Sequence, residues 1–340
     1  MIVTVTPNPS LDRTYRVDGF RLGALHRADH VTVEASGKGV NVSRVLAVRG
    51  VPTMAVLPLG GSEGGHLAGL LAEAGLPHEG VGVAAAARVN VTVIEPGGRT
   101  TKVNAPGEAL TAAEQEALVR RTREAALTEA ASWVACCGSL PPGTDPELTV
   151  RLIQAAHSAG ARAAVDTSGA ALPAALSAGA DLIKPNREEL AELTGRELRT
   201  VEAVVAAARE VAAGGTAVLA SIGVDGAVLV DGRVCLWAKA PSIEPVNTTG
   251  AGDTLLAGYL AAASAESGSM RPESRLAEAV ALGTSACLAP GTAELPGTLL
   301  RPEHVVVRRL DGAGRAAGDS GVPINHAAAE RAAGEPRRSS

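Results

Sequence analysis

The sequence predicts an α/β protein: a central, mostly parallel sheet covered by helices on both faces, with a small separate β layer beside it. Three observations carry that expectation. Short apolar runs rich in β-branched residues recur along the chain, stretches with apolar residues at helical spacing alternate with them, and two segments alternate polar with apolar residues instead. Strands that are apolar throughout are buried on both faces and need helices above and below, whereas alternating strands keep one face in water.

In chain order, residues 2–6 form the first buried strand. Segment 14–35 alternates and belongs, from about residue 12, to the small layer. A glycine-rich turn then opens a helix over 40–49, followed by a strand at 54–57 and a helix at 66–74. Segment 88–104 returns to alternation, with 89–94 and 100–103 joined by the turn Glu95-Pro-Gly-Gly-Arg99. This second piece, taken to about residue 105, completes the layer as a lid over a cleft. Helix 114–129, strand 133–136, helix 147–159, strands 163–166 and 181–183, helix 201–213, strand 217–221 and helix 255–263 continue the α/β rhythm. Residues 1–310 are expected to form one domain. Residues 311–340, rich in Ala, Gly, Arg and Glu without helical period, are expected to be a disordered tail.

Composition narrows the function. The 340 residues are enough for a sizeable core, and with only five aromatic residues against a hydrophobic fraction of 46%, Ala, Val and Leu must fill it. Lys and Arg number 31 against 36 Asp and Glu, a net charge of -5 and pI near 5.9, opposite in sign to the field that nucleic acid requires. Cys136, Cys137, Cys235 and Cys287 show neither zinc spacing nor a disulfide framework, which fits a reducing cytoplasm. No uninterrupted apolar run reaches the ~20 residues of a membrane span, and the opening Met-Ile-Val-Thr-Val lacks a basic leader, so no membrane partner or export is expected. The histidines are scattered and are assigned no role.

The most informative stretch is Asn247-Thr-Thr-Gly-Ala-Gly-Asp-Thr254, leading into the last helix. Small residues there leave the first backbone N–H groups and the helix dipole open to an anion such as phosphate. Asp253 faces that anion; the arrangement is stable when a substrate hydroxyl lies between them, which is the geometry of a general base deprotonating an alcohol as it attacks a phosphoryl group. A helix-capping role for Asp253 is the equal alternative. A second turn, Ala35-Ser-Gly-Lys-Gly-Val-Asn-Val-Ser43, offers close backbone approach at Gly37 and Gly39, a cation at Lys38 and a polar fork at Asn41. Asp12 follows the first strand, where open α/β sheets bind ligands, and can accept two sugar hydroxyls or serve as a turn residue. In Lys184-Pro-Asn-Arg-Glu-Glu189, Asn186 and Glu189 lie one helical turn apart and are able to reach a magnesium-bound water together, with Glu188 and Glu189 as ordinary first-turn acids the alternative. Gly138-Ser-Leu-Pro-Pro-Gly143 and Ser221-Ile-Gly-Val-Asp-Gly226 end two further strands with turns.

In this order the motifs resemble the ribokinase-like, or phosphofructokinase B, family of sugar kinases over roughly residues 1–300. The resemblance implies a three-layer α/β/α fold with a β lid that often clasps a second subunit, ATP as donor and magnesium as cofactor. It makes Asp253 the base and the amides of Gly250, Ala251 and Gly252 the anion hole. Asn186 and Glu189 become magnesium-linked; Asp12, Gly37, Gly39, Asn41 and Ser139 contact sugar; and Lys184, Asn186, Ser221, Gly223 and Gly226 serve the nucleotide. Among subfamilies, the opening Thr6-Pro-Asn-Pro-Ser-Leu-Asp-Arg-Thr14, the Lys38 loop, Arg88-Val-Asn90 and Thr101-Lys-Val-Asn-Ala-Pro-Gly107 are most similar to bacterial 1-phosphofructokinases, whose substrate already carries a phosphate. Lys38, Arg88 and Lys102 then form one clamp for that dianion, with exposed strand charge the alternative for the last two. Two departures stand out. Ser36 replaces a common glycine, and Asn247 replaces an acidic or hydroxyl residue, which weakens a monovalent-cation site near Asn247 and Thr249.

The expected activity is therefore phosphorylation of the C6 hydroxyl of fructose 1-phosphate by ATP. Kinases for fructose 6-phosphate or tagatose 6-phosphate share every motif. From other classes, a dinucleotide-dependent dehydrogenase is disfavoured because no Gly-x-Gly-x-x-Gly follows the first strand, and a non-catalytic sugar-phosphate sensor because the base is intact.

Overall fold

In the computed structural model, residues 1–264 and 270–310 are described. The expected tail, 311–340, lies outside them. The chain runs β1 (Ile2–Val5), β2 (Ser10–Arg16), β3 (His30–Ser36), α1 (Lys38–Val48), β4 (Thr53–Leu59), α2 (Gly61–Glu73), β5 (His78–Gly82), β6 (Arg88–Ile94) and β7 (Thr100–Asn104). It continues α3 (Ala112–Thr128), β8 (Trp133–Cys137), α4 (Glu147–Ser158), β9 (Arg162–Asp166), α5 (Ala171–Ser177), β10 (Leu182–Ile183), α6 (Arg187–Thr194), α7 (Val201–Ala212) and β11 (Ala217–Ser221). Then follow β12 (Ala227–Asp231), β13 (Val234–Lys239), α8 (Ala251–Ser264), α9 (Pro272–Ala286) and β14 (Val306–Arg309).

Ten strands form one sheet in the order β14-β13-β12-β11-β10-β9-β8-β1-β4-β5. It is parallel from β5 to β11 and antiparallel beyond. Both faces are buried because successive strand residues point to opposite sides. On β8, Val134 and Cys136 pack into the layer of α3, α4 and α7, while Trp133, Ala135 and Cys137 pack into the layer of α1, α8 and α9. Each fully buried Leu or Ile there, such as Leu148, Ile153 or Leu256, contributes roughly 1.5–3 kcal/mol by leaving water. Among the described residues no helix is long and apolar enough to cross a membrane.

Helix boundaries follow local chemistry. At α3, Thr111 and Glu114 exchange side-chain to backbone hydrogen bonds, a capping box that sets the start two residues ahead of the sequence expectation. Helix α2 begins at Gly61, five residues before the expected start, because glycines that read as turn residues fit where the backbone packs tightly; a Cβ on Gly64 would press on the Leu59 backbone.

The small layer is a four-stranded sheet, β3-β2-β6-β7. It starts at Ser10, earlier than expected, so Asp12 lies within a strand and not in a turn. The expected hairpin at 95–99 is present, closed by Glu95 N to Arg99 O at 2.9 Å and Gly98 N to Glu95 O at 3.0 Å. Register gives the lid two chemically different faces. One carries Ser10, Asp12, Thr14, Arg88, Asn90, Thr92, Glu34, Lys102 and Asn104; the other carries Leu11, Ala35, Val89, Val33, Val91 and Val103. Leu11 and Ala35 are buried with Leu67 and Leu71 of α2, which anchors the lid to the main body.

Candidate active site

The parallel strands deliver their C-terminal ends to one edge of the sheet, the usual ligand position in open α/β folds. Between that edge and the polar face of the lid is a cleft of about 400 Å³. Of the residues singled out in the sequence, Asp12, Gly37, Lys38, Asn41, Arg88, Lys184, Asn186, Ser221, Gly250, Gly252 and Asp253 line it. Ser10, Ser36, Asn90, Asp166, Thr249 and Thr292 complete the lining.

Asp253 sits in the first turn of α8, 7% exposed, and accepts a hydrogen bond from Asn41 Nδ2 at 2.8 Å. Burial, aided by the nearby Asp166 charge, raises its carboxyl from 3.8 to about 6, against the pull of Asn41, Lys38 and Lys184. A carboxylate poised there is ionised at neutral pH yet basic enough to take a proton.

Gly250 (φ 82) has its Cα pressed against Ala293, where a Cβ would lie 2.6 Å from the Ala293 nitrogen. Only glycine allows the chain to enter α8 by this path. The Ala251 amide closes a turn onto Thr248 O at 3.3 Å, and Gly250 and Gly252 on either side of it line the cleft. Lys184 reaches the same spot, its Nζ 3.4 Å from where a Cβ on Gly252 would stand.

Asp166, the last residue of β9, went unnoticed in the sequence because it reads as the polar end of an apolar strand. It is 1% exposed and holds two ammonium groups, Lys38 Nζ at 2.8 Å and Lys184 Nζ at 3.1 Å. Burial alone would raise its carboxyl, but the two lysines outweigh burial and hold it below the ordinary value. Burial likewise opposes the Lys38 charge, and Asp166, with help from Glu189 at 3.9 Å, more than restores it. The three cations expected as one clamp have separate protein partners, although Lys38 and Arg88 line the same cleft. Lys38 is tied to Asp166, Arg88 on β6 donates to Ala105 O at 3.0 Å near Asp12, and exposed Lys102 reaches across to Thr249 Oγ1 at 2.7 Å.

Asn186 and Glu189 cap α6 reciprocally: Glu189 N donates to Asn186 Oδ1 and Asn186 N to Glu189 Oε2, each at 2.8 Å. That is the helix-start role, and the remaining Glu189 oxygen, Oε1, lies 3.9 Å from Lys38 Nζ. Ser221 pairs with Asn186 in an isolated bridge. Gly223 opens a short 3-10 turn, and Gly226 and Gly39 are packing glycines, on which a Cβ would overlap Ala238 O or Thr6 Oγ1. Neither they nor exposed Ser139 line the cleft. Ser10 and Asn90 lie in motifs singled out in the sequence but carry no role there, and they take their place only through the β2–β6 register.

The sequence model of the pfkB family carbohydrate kinases matches residues 6–296. The chain is 38% identical over 291 residues to a 1-phosphofructokinase of Rhodobacter capsulatus, covering 85% of this chain and 92% of that one. It is 37% identical to the ATP-dependent 6-phosphofructokinase isozyme 2 of Escherichia coli, covering 86% and 94%. Among solved structures, phosphofructokinase-2 of Escherichia coli in complex with fructose-6-phosphate aligns with a TM-score of 0.76 at 34% identity over 84% of this chain and 93% of that one. The same protein in complex with potassium aligns with a TM-score of 0.78 at 34% identity over 86% and 94%.

Proposed function

The chain belongs to the pfkB family of carbohydrate kinases and is a hexose-phosphate kinase, and from that premise we propose that it transfers the γ-phosphoryl group of ATP to the C6 hydroxyl of fructose 1-phosphate. The observation that carries this reading is the opposition, across one cleft, of Asp253 with the Gly250–Gly252 turn on one side and the polar lid face of Asp12 and Arg88 on the other. A sugar phosphate bridges the two. Arg88 and Asp12 hold its phosphate end and hydroxyls, which leaves the far hydroxyl beside Asp253. Asp253 takes that proton as the oxygen–phosphorus bond forms and the γ-phosphorus bond to the β-bridging oxygen breaks, with ADP leaving on the electron pair. Asn41 keeps the base in line.

Lys184 and Lys38, shared by Asp166, meet the charge of the moving group. Lys38 therefore serves the transferred phosphoryl group and not the sugar's own phosphate. The residues also fit a magnesium ion held mainly by water and phosphates, with Glu189 as its carboxylate. Among the described residues no cluster of three or more His, Cys, Asp or Glu offers an all-protein metal cage. When bound, magnesium supplies charge to the donor phosphates. A monovalent cation near Asn247 and Thr249 gains support from the potassium complex of the Escherichia coli protein, although Asn247 Nδ2 is bound to Pro290 O at 3.0 Å and its Oδ1 to Thr249 N at 2.9 Å. The apolar lid face, where Val31 and Val103 are 46% and 64% exposed, is the surface through which a second copy would clasp the first. Four free cysteines, three of them buried, suit work in the cytoplasm.

Coupled ADP release over a panel of hexose phosphates tests the activity, and Arg88→Ala tests the clamp. The variant is expected to raise KM for the sugar phosphate roughly 10- to 100-fold, the value of a charge-assisted contact, while leaving KM for ATP within about twofold. Equal rises for both substrates would assign Arg88 a general structural role.

A further inference from the structure

We propose that Asn90 and Ser10 are positioning residues that set Asp12 in the orientation in which it accepts the sugar hydroxyls, an inference that rests on the reading of Asp12 as a sugar-binding carboxylate. The β2–β6 pairing is parallel and in register, with Ser10 opposite Arg88 and Asp12 opposite Asn90, so all four side chains rise from the same face of the lid into the cleft. Asn90 Nδ2 donates to Asp12 Oδ1 at 2.8 Å and to Ser10 Oγ at 3.0 Å, and Ser10 Oγ donates to the same Asp12 oxygen at 2.8 Å. One oxygen of Asp12 is thus held by two donors in a closed ring of three side chains.

The ring has an electrostatic reason. On the other side of Asp12, β3 places Glu34 directly opposite, and the two carboxylates are close enough that Asp12 helps raise the Glu34 carboxyl, after burial and against the opposing pull of Arg44. An ionised Glu34 disfavours Asp12 orientations toward β3, while the Arg88 guanidinium attracts Asp12 from the β6 side. Two donors on the Asn90 side hold it in place and satisfy one oxygen, so the carboxylate meets its substrate in a single rotamer and no ordering is required at binding. The amide orientation is dictated too. With Oδ1 and Nδ2 exchanged, Asn90 would oppose oxygen to the Asp12 oxygen. Ser10 is 1% exposed, so an alanine there removes the donor without leaving room for water to replace it.

The test is a double-mutant cycle on kcat/KM for the sugar phosphate, with KM for ATP and the melting temperature measured alongside. Asn90→Ala and Ser10→Ala are each expected to lower kcat/KM about 10-fold through KM, with KM for ATP and melting temperature unchanged. Combined with Asp12→Ala, neither should lower it further by more than about twofold, because a residue acting through Asp12 has nothing left to position. Losses that multiply in the double variants would overturn the proposal. Should Asn90→Ala fail to fold, Ser10→Ala carries the same comparison. If Asp12→Ala alone keeps wild-type kcat/KM for the sugar, the role of Asp12 falls first, and the positioning role with it.

Discussion

Asp253→Asn is expected to lower kcat by at least 10²–10⁴-fold while KM for ATP and sugar phosphate stay within a few-fold, because the amide keeps the shape and the Asn41 contact but has no pair of electrons basic enough for the hydroxyl proton. The pH profile gives the same group a second signature. With the carboxyl raised to about 6 by burial and the Asp166 charge, the base is protonated and idle below that value, so wild-type kcat/KM should climb tenfold per pH unit up to about 6 and level off above it. The residual activity of the Asn variant should lose that limb. Retention of more than about a tenth of wild-type kcat would make Asp253 a helix cap and not the base.

Asp166→Ala is expected to be the most destabilising single change at the site, by about 3–5 kcal/mol in urea unfolding, since it strands Lys184, only 4% exposed, beside a second ammonium group. Part of the Lys38 charge can relax into solvent, its side chain being 36% exposed, which favours the lower end of that range. Because the Asp166 carboxyl is held below its ordinary 3.8, its stabilisation is fully present above that value and is lost as pH falls through the lower folded value. The wild type should therefore lose stability more steeply below pH 3.8 than the variant does. A loss under about 1 kcal/mol would show that the two lysines find other partners.

The parts of the fold legible from sequence are those whose physics is local. Continuous apolar runs marked β1, β8, β9, β10 and β11 because both their faces are covered, and α4 and α7 were bounded to within a residue by their periodicity. The antiparallel extension was not foreseen. Its hairpin has a local signal, Asp231-Gly232 between the apolar stretches of β12 and β13, but β14 arrives from residue 306 and only tertiary pairing makes it a strand. β5, His-Glu-Gly-Val-Gly, is an edge strand with too few apolar residues to alternate.

The site divides the same way. The glycine spacing before Asp253 and the Asn186–Glu189 pair are local signatures and were found. Asp166 lies 128 residues from Lys38, and Ser10 lies 80 from Asn90, so their contacts exist only after the sheet and lid have formed. The separate partners of Lys38, Arg88 and Lys102 have the same origin: charge in an acidic chain is read from composition, whereas the group each cation meets is set by tertiary pairing.

The central claim, that this hexose-phosphate kinase prefers a substrate phosphorylated at C1, is most directly tested by kcat/KM for fructose 1-phosphate and fructose 6-phosphate measured with the same enzyme and saturating ATP. With the sugar's phosphate on Arg88, fructose 1-phosphate presents its C6 hydroxyl to Asp253. Fructose 6-phosphate must turn end for end and leaves hydroxyls mispaired at Asp12 and Asn41, at roughly 1–3 kcal/mol each. The expected result is a preference for fructose 1-phosphate of at least about 10-fold. A higher kcat/KM for fructose 6-phosphate would contradict the substrate assignment and leave the base, the anion site and the fold standing.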